Sequence, residues 1–297
     1  MKRMTGALAA LAVLMLAAVP GLAEEKRQVE GRVDARSDGI VTVENIAGRI
    51  EIVGWDKDEV AYEGHVTGDV QEVVLEGGRK TTLKVRYPRK AKHIEGGAWL
   101  VVHVPRASRL AVECISADIE VRDLTGVVEA EAISGDVTVK ADCEEVEAES
   151  ISGDVDVTTQ AREVSVGSIS GGVKAAGGTA EIEAETVSGS IELSFDRFLN
   201  LDVESVSGDA DVSGDLDDNG EFDFELHSGT LTLAVPGDVS AEFRVETFSG
   251  GIDNGFGQKS RKTSKYTPGR ELEFTNNGGS ARVRIDTFSG DVIIRKR

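Results

Sequence analysis

The phrase Ile-Ser-Gly-Asp-Val, or a close variant, returns along the chain at an almost constant step, and no other feature narrows the possible folds so far. It reads Ala132-Ile133-Ser134-Gly135-Asp136-Val137, then Ser150-Ile151-Ser152-Gly153-Asp154-Val155, then Ser168-Ile169-Ser170-Gly171-Gly172-Val173, then Thr186-Val187-Ser188-Gly189-Ser190-Ile191. With the glycine as position zero, the zeros fall at Ala117, Gly135, Gly153, Gly171, Gly189, Gly208, Gly229, Gly250 and Gly290; the steps are 18 as far as Gly189, then 19, 21, 21 and 40. A unit this short cannot bury an apolar face alone, so it must stack on its neighbours as a solenoid.

The columns of the repeat describe one coil. Position −7 is apolar in every copy (Leu110, Val128, Val146, Val164, Ile182, Leu201, Phe222, Phe243, Val283), and so is position −5, with mostly polar residues between. That period of two marks a strand with one buried face. Positions +2 and +4, such as Val137 and Val139 or Val155 and Val157, give a second short strand beyond a corner. Serine precedes the zero in all nine copies, and Ser134-Gly135, Ser152-Gly153, Ser170-Gly171 and Ser188-Gly189 read as structural corners. The expectation is that the hydroxyls stack and donate coil to coil, while glycine supplies an unusual backbone conformation. Position −2 (Ile115, Ile133, Ile151, Ile169, Val187, Val206, His227, Phe248, Phe288) breaks the alternation and is expected to point inward where the bend begins. Strands without room for crossover helices imply an all-β chain, a parallel β-solenoid of 18–21-residue coils.

Residues 1–23 read as a secretory signal. Lys2 and Arg3 precede an apolar run from Ala7 to Val19, and Gly21-Leu22-Ala23 places a cleavage site before Glu24. The run is shorter than the ~20 residues of a membrane span. Residues 24–108 form an irregular β-rich cap. In it Asn45-Ile46-Ala47-Gly48 fits the template as a first coil or its cover, and the runs Val60–Val66, Val70–Leu75, Thr82–Tyr87 and Ala98–Val104 read as antiparallel strands. Residues 109–297 are the repeat domain. Its long last step holds a basic loop from Gln258 to Arg270, and Arg295-Lys296-Arg297 closes the chain.

With 53 acids against 33 Lys and Arg the formal charge is −20, which argues against nucleic acid and anionic membrane surfaces as partners. Cys114 and Cys143 occupy different columns, and Cys114 shares its own with Ala132, Ser150, Ser168 and Thr186, so small buried thiols are expected rather than a disulfide. Of four histidines, His227 stands in the −2 column near Asp223 and Glu225, without a nucleophile or second base beside it. Phe222, Phe224, Phe243, Phe248 and Phe288 all fall in columns expected to point inward, which leaves no aromatic floor for sugars. Zinc spacings, phosphate loops and the Ca²⁺-binding nonapeptide are missing, so no cofactor is expected. Position −4 is acidic in eight of nine copies. Glu131, Glu149, Glu185 and Glu204 in that column could recruit Ca²⁺ weakly and non-specifically, or a basic partner; otherwise the column is a solvated face.

The signal segment, the stretch Asn45-Ile46-Ala47-Gly48-Arg49-Ile50-Glu51-Ile52-Val53-Gly54-Trp55-Asp56, the stretch Val102-His103-Val104-Pro105 and the serial Ser-Gly-Asp-Val coils together resemble a bacterial β-strand-repeat family, catalogued as a candidate adhesin domain of unknown function, over roughly residues 30 to 297. The resemblance implies a right-handed, parallel β-helix-like fold in an exported envelope protein and carries over no catalytic residue. The expected function is a non-enzymatic binding or scaffolding surface in the periplasm, on the cell or secreted, for an envelope or surface partner, protein or glycan. A carbohydrate-active enzyme on a β-helix and a protein that self-associates end to end are the alternatives.

Overall fold

The structure, a computed structural model, describes residues 26–78, 80–89, 94–264 and 268–297. The signal segment, His93 and the Lys265-Tyr266-Thr267 part of the basic loop lie outside the described residues. Among those described every regular element is a strand, and no helix is long and apolar enough to cross a membrane.

Alternation dictates how each coil folds. In strand Glu145–Ser150 the side chains of Val146, Ala148 and Ser150 are buried, and in strand Val155–Thr159 those of Val155, Val157 and Thr159. The two strands line facing walls of one apolar core, and the return segment adds Ala161. Pairing is parallel and in repeat register: Val146 lies between Val128 and Val164, and Val155 between Val137 and Val173. Each column of the sequence thereby becomes a ladder. Three of the four 18-residue coils carry alanine at −5 (Ala130, Ala148, Ala184; the fourth has Val166), whereas the 21-residue coils bury Phe222, Phe224 and Phe243, so the core widens toward the C-terminal end. At the step of 19 the extra residue is Leu199, passed over where Ala180 pairs with Phe198 and Glu181 with Asn200.

The sheet is mixed, so parallel stacking describes the centre and gives way at both ends. Strand Ile40–Trp55 pairs parallel with Arg109–Arg122, which stacks Gly48 on Ala117 across the expected cap boundary at 108. Strands Lys80–Arg86 and Ala98–Pro105 make the expected antiparallel pairs with Glu72–Glu76 and Glu59–Val66, but each also runs parallel to Ile40–Trp55, because the two strands form one more coil with Ala98 opposite Gly48. Antiparallel pairing holds for Glu72–Glu76, Glu59–Val66 and Arg27–Asp34, which cover that end. At the other end chain order and spatial order part. Strand Ala281–Ser289 inserts between Glu221–Ser228 and Ala241–Thr247, and Val292–Lys296 between Leu231–Val235 and Ile252–Asn254. The step of 40 is thus an excursion: the chain builds the outer coil of Gly250, folds strand Arg270–Asn276 antiparallel onto it, and returns one layer inward.

The corner differs from expectation in two ways. Among the zeros only Gly48 (φ 114°) and Gly229 (φ 129°) adopt positive φ. Glycine is needed instead for close approach: a Cβ on Gly153 would lie 2.1 Å from the carbonyl oxygen of Gly135, and one on Gly171 2.0 Å from that of Gly153. The −1 serines Ser134, Ser152, Ser170 and Ser188 are exposed, and what bonds coil to coil there is their backbone, Ser152 N–H donating to Ile133 O at 3.0 Å. The bonding hydroxyl is at −3. Ser150 Oγ donates to Gly135 O at 3.0 Å and accepts from Gly153 N–H at 2.9 Å, and Ser168 repeats the bridge one coil on. The aspartate of the phrase has a similar task, since Asp136 Oδ1 accepts from Asp154 N–H at 3.0 Å and Asp154 Oδ1 from Gly172 N–H at 2.7 Å.

Gly153→Ala should therefore lower stability by about 1–3 kcal/mol, as overpacking against fixed backbone does. Gly167→Ala, whose Cβ would meet nothing nearer than 3.8 Å, should be neutral or stabilising by up to about 1 kcal/mol, because it removes glycine from a strand interior. Thermal unfolding of the two variants checks the pair.

Candidate binding groove

Counting outward positions along a strand locates the surface that distinguishes this chain. Burial at −7, −5 and −3 leaves −6, −4 and −2 facing solvent, and the chain bends only after −2, so −2 and −1 both point outward before glycine turns in. The −2 column is therefore not inward, as its apolar character led one to expect. Ile115, Ile133, Ile151 and Ile169 are 44–47% exposed, Val187 and Val206 46% and 49%, Phe248 and Phe288 both 51%. His227 is exposed in the same line. Its ring stacks on Phe288 with centroids 4.9 Å apart, and Phe288 stacks on Phe248 at 5.0 Å. This order, His227, Phe288, Phe248, is the spatial order created by the inserted last coil. With partly buried Ile46 at the other end, ten rungs about 4.8 Å apart make a stripe on the order of 40 Å long.

Two acidic columns run beside the stripe. Position −4 supplies Glu113, Glu131, Glu149, Glu185, Glu204 and Glu225, and position −6 supplies Glu129, Glu147, Glu183, Asp202 and Asp223, stacked on neighbouring coils except where Gly167 and Ser165 interrupt the two columns. Partial burial first, and the neighbouring carboxylates second, push the pKa values of Glu131, Glu147, Glu185 and Asp202 up. At the ends the protein supplies its own cations: Lys84 pairs with Glu44, Arg284 with Asp286 at 2.7 Å and Arg244 with Glu246 at 2.8 Å. Stripe and −4 carboxylates line a continuous groove of about 1340 Å³, bounded by Lys84 and Val85 at one end and by Thr263, Gly269 and Arg270 at the other. Thr263, Gly269 and Arg270 thus form an end wall, near which Arg261 pairs with Glu271 at 3.0 Å.

Glu131, Glu149, Glu185 and Glu204 are brought into one line, with Gly167 interrupting it between Glu149 and Glu185. They point the same way from successive coils and do not converge: among the described residues no group of three or more His, Cys, Asp or Glu could hold a metal ion. Cys114 and Cys143 are free and buried, their thiols pushed up to about 12 chiefly by burial. A second aromatic area, which no periodicity in the sequence marks, lies on the outer face of the cap, where Trp99 stacks on His65 at 5.2 Å and Trp55 on His103 at 4.8 Å.

The family described as Toastrack DUF4097 matches residues 41–295. No curated protein matches the chain. Among solved structures, a candidate adhesin from Bacteroides fragilis NCTC 9343 is 10% identical over 92% of this chain and 100% of its own, with a TM-score of 0.43. A candidate adhesin from Parabacteroides distasonis ATCC 8503 is 11% identical over 91% and 97%, at 0.37. A candidate cell-adhesion protein from Clostridium sporogenes ATCC 15579 is 10% identical over 92% and 100%, at 0.26.

The raised carboxylates fix the sign of a pH effect. A carboxylate with a raised pKa in the folded state disfavours folding when charged; the penalty is absent while the group is protonated folded and unfolded, sets in as pH rises past the ordinary carboxylate range, and is complete above the raised value. Melting temperature should therefore increase as pH is lowered from neutral toward the carboxylate range. Glu131→Gln with Glu147→Gln should raise it at neutral pH and flatten the slope, as thermal melts across a pH series would show.

Proposed function

The chain belongs to the Toastrack DUF4097 family, and we propose that it works as an exported, non-enzymatic, adhesin-like binding protein of the cell envelope whose working surface is the stripe from Ile115 to Phe248. The observation that carries this is eight large apolar side chains, 44–51% exposed, in a single line. Solvated residues fit the same face, since glutamate occupies −4 one outward position away, so folding does not require Ile, Val or Phe at −2. A contiguous apolar strip edged by charge is the pattern of an interaction site. The expected signal segment supports export, and right-handed winding of the coils is what the family resemblance implies. The acids stand in parallel columns on successive coils rather than across a cleft, which favours a binding surface over glycoside chemistry between two opposed carboxylates. Ca²⁺ would associate with such a row weakly, as with any line of oxygens. End-to-end association would have to displace the antiparallel strands that cover both ends.

The test is retention on envelope preparations. The wild-type chain should sediment with isolated cell envelopes. The variant with Ile133→Ser, Ile151→Ser and Ile169→Ser should melt close to wild type, as half-exposed sites do, and lose at least about tenfold in retention. Equal retention by the two proteins would reject the stripe as the working surface.

A further inference from the structure

We infer that the groove receives a cationic amphipathic helix, laid along the stripe with its apolar face on the isoleucines and its positive flank on the glutamates. This rests on the reading of the stripe as the working surface and adds the chemistry of its occupant. Outward neighbours −4 and −2 are two residues apart on one strand, so the anionic row and the apolar row run side by side about 7 Å apart. A ligand that satisfies both needs an apolar edge and a cationic edge in parallel.

The cation is indicated by what the chain does at the groove's ends. Lys84 pairs with Glu44, and Arg284 with Asp286, whereas from Glu113 to Glu225 no cation among the described residues pairs with the −4 carboxylates. Crowding of like charges in this middle section is relieved by a cation from outside. The same charge repels a second copy presenting the same face, as it repels any anionic surface.

The helical form follows from the floor. The groove lies on the face of a sheet whose backbone groups are already paired strand to strand, so an extended segment along the stack would find no ladder to join. A helix satisfies its own backbone bonds and needs only side-chain complementarity. A stripe on the order of 40 Å matches about 25 helical residues at ~1.5 Å each.

The experiment uses three fluorescein-labelled peptides of about 25 residues in one amphipathic pattern: leucine with lysine, leucine with glutamine, and leucine with glutamate. Fluorescence anisotropy with the mature chain should show the lysine peptide binding at least about tenfold more tightly than the glutamine peptide, an advantage that shrinks as NaCl is raised, and no binding of the glutamate peptide. Glu131→Gln, Glu149→Gln and Glu185→Gln together should bring the lysine peptide down to the level of the glutamine one. Ile133→Ser, Ile151→Ser and Ile169→Ser together should abolish both, with folding of each variant verified by its melt. If the glutamine peptide binds as tightly as the lysine peptide and still needs the isoleucines, the cationic occupant is overturned while the stripe stands. Lysine-peptide binding that ignores the isoleucines would be attraction to net charge alone and overturns the inference. Isoleucine-dependent self-association in sedimentation velocity without peptide would make a second copy the occupant and overturns it too.

Discussion

At each glycine zero, the carbonyl oxygen of the neighbouring coil occupies the space where a side chain would begin. A Cβ would lie 1.7–2.2 Å from that oxygen in every coil from Gly135 to Gly290. This contact sets the register of the stack, and register makes every other ladder possible. Ser150 bridges two corners, Asp136 receives the N–H of Asp154, and Val146 meets Val164 because the zeros are locked one above another. A slip of one residue would turn the core columns to solvent and the glutamates inward.

The same register enforces an arrangement that electrostatics opposes. Carboxylates about 4.8 Å apart repel by roughly 1 kcal/mol per neighbouring pair even in water. Burying one Val, Leu, Ile or Phe side chain contributes about 1.5–3 kcal/mol. The coil of Gly153 sets Val146, Ala148, Val155 and Val157 against its glutamates, so the core wins and the charged face is tolerated. The negative charge of that face also opposes the approach of a second copy to the line of isoleucines.

The sequence made the coil legible wherever a column's chemistry and its burial agree. Apolar residues at −7 and −5 alternate with mostly acidic ones at −6 and −4, and the period of two needs nothing else. The −2 column is not legible in this way, because its hydrophobicity points to burial while its place in the alternation points outward. Strict counting from Val146 through Ala148 to Ser150 would have placed Ile151 outside, and the small residues at −3 were the sign that the crowded inner corner lay there. Which residue holds the bend is a matter of backbone, and Ile and Ser carry no mark of it. The two stack ends were illegible for another reason: placing Ala98 beyond Gly48, and Gly290 between Gly229 and Gly250, is a choice among equivalent ladders that only through-space packing decides. Of the groove, its acidic wall could be read from the sequence, whereas its apolar floor could not.

The inserted coil sets order in the chain against order in space. Residues 281–296 leave the ribosome after the layer of Gly250, yet become an interior stave beneath it. Until they arrive, the layer built around Gly250 has nothing to rest on, and the edge of strand Glu221–Ser228 stays open to any passing strand. The Phe248 end of the groove is likewise assembled only when Phe288 slides in against His227. Completion of the groove is thereby tied to synthesis of residues 281–296, so a chain that lacks them would carry an unfinished one.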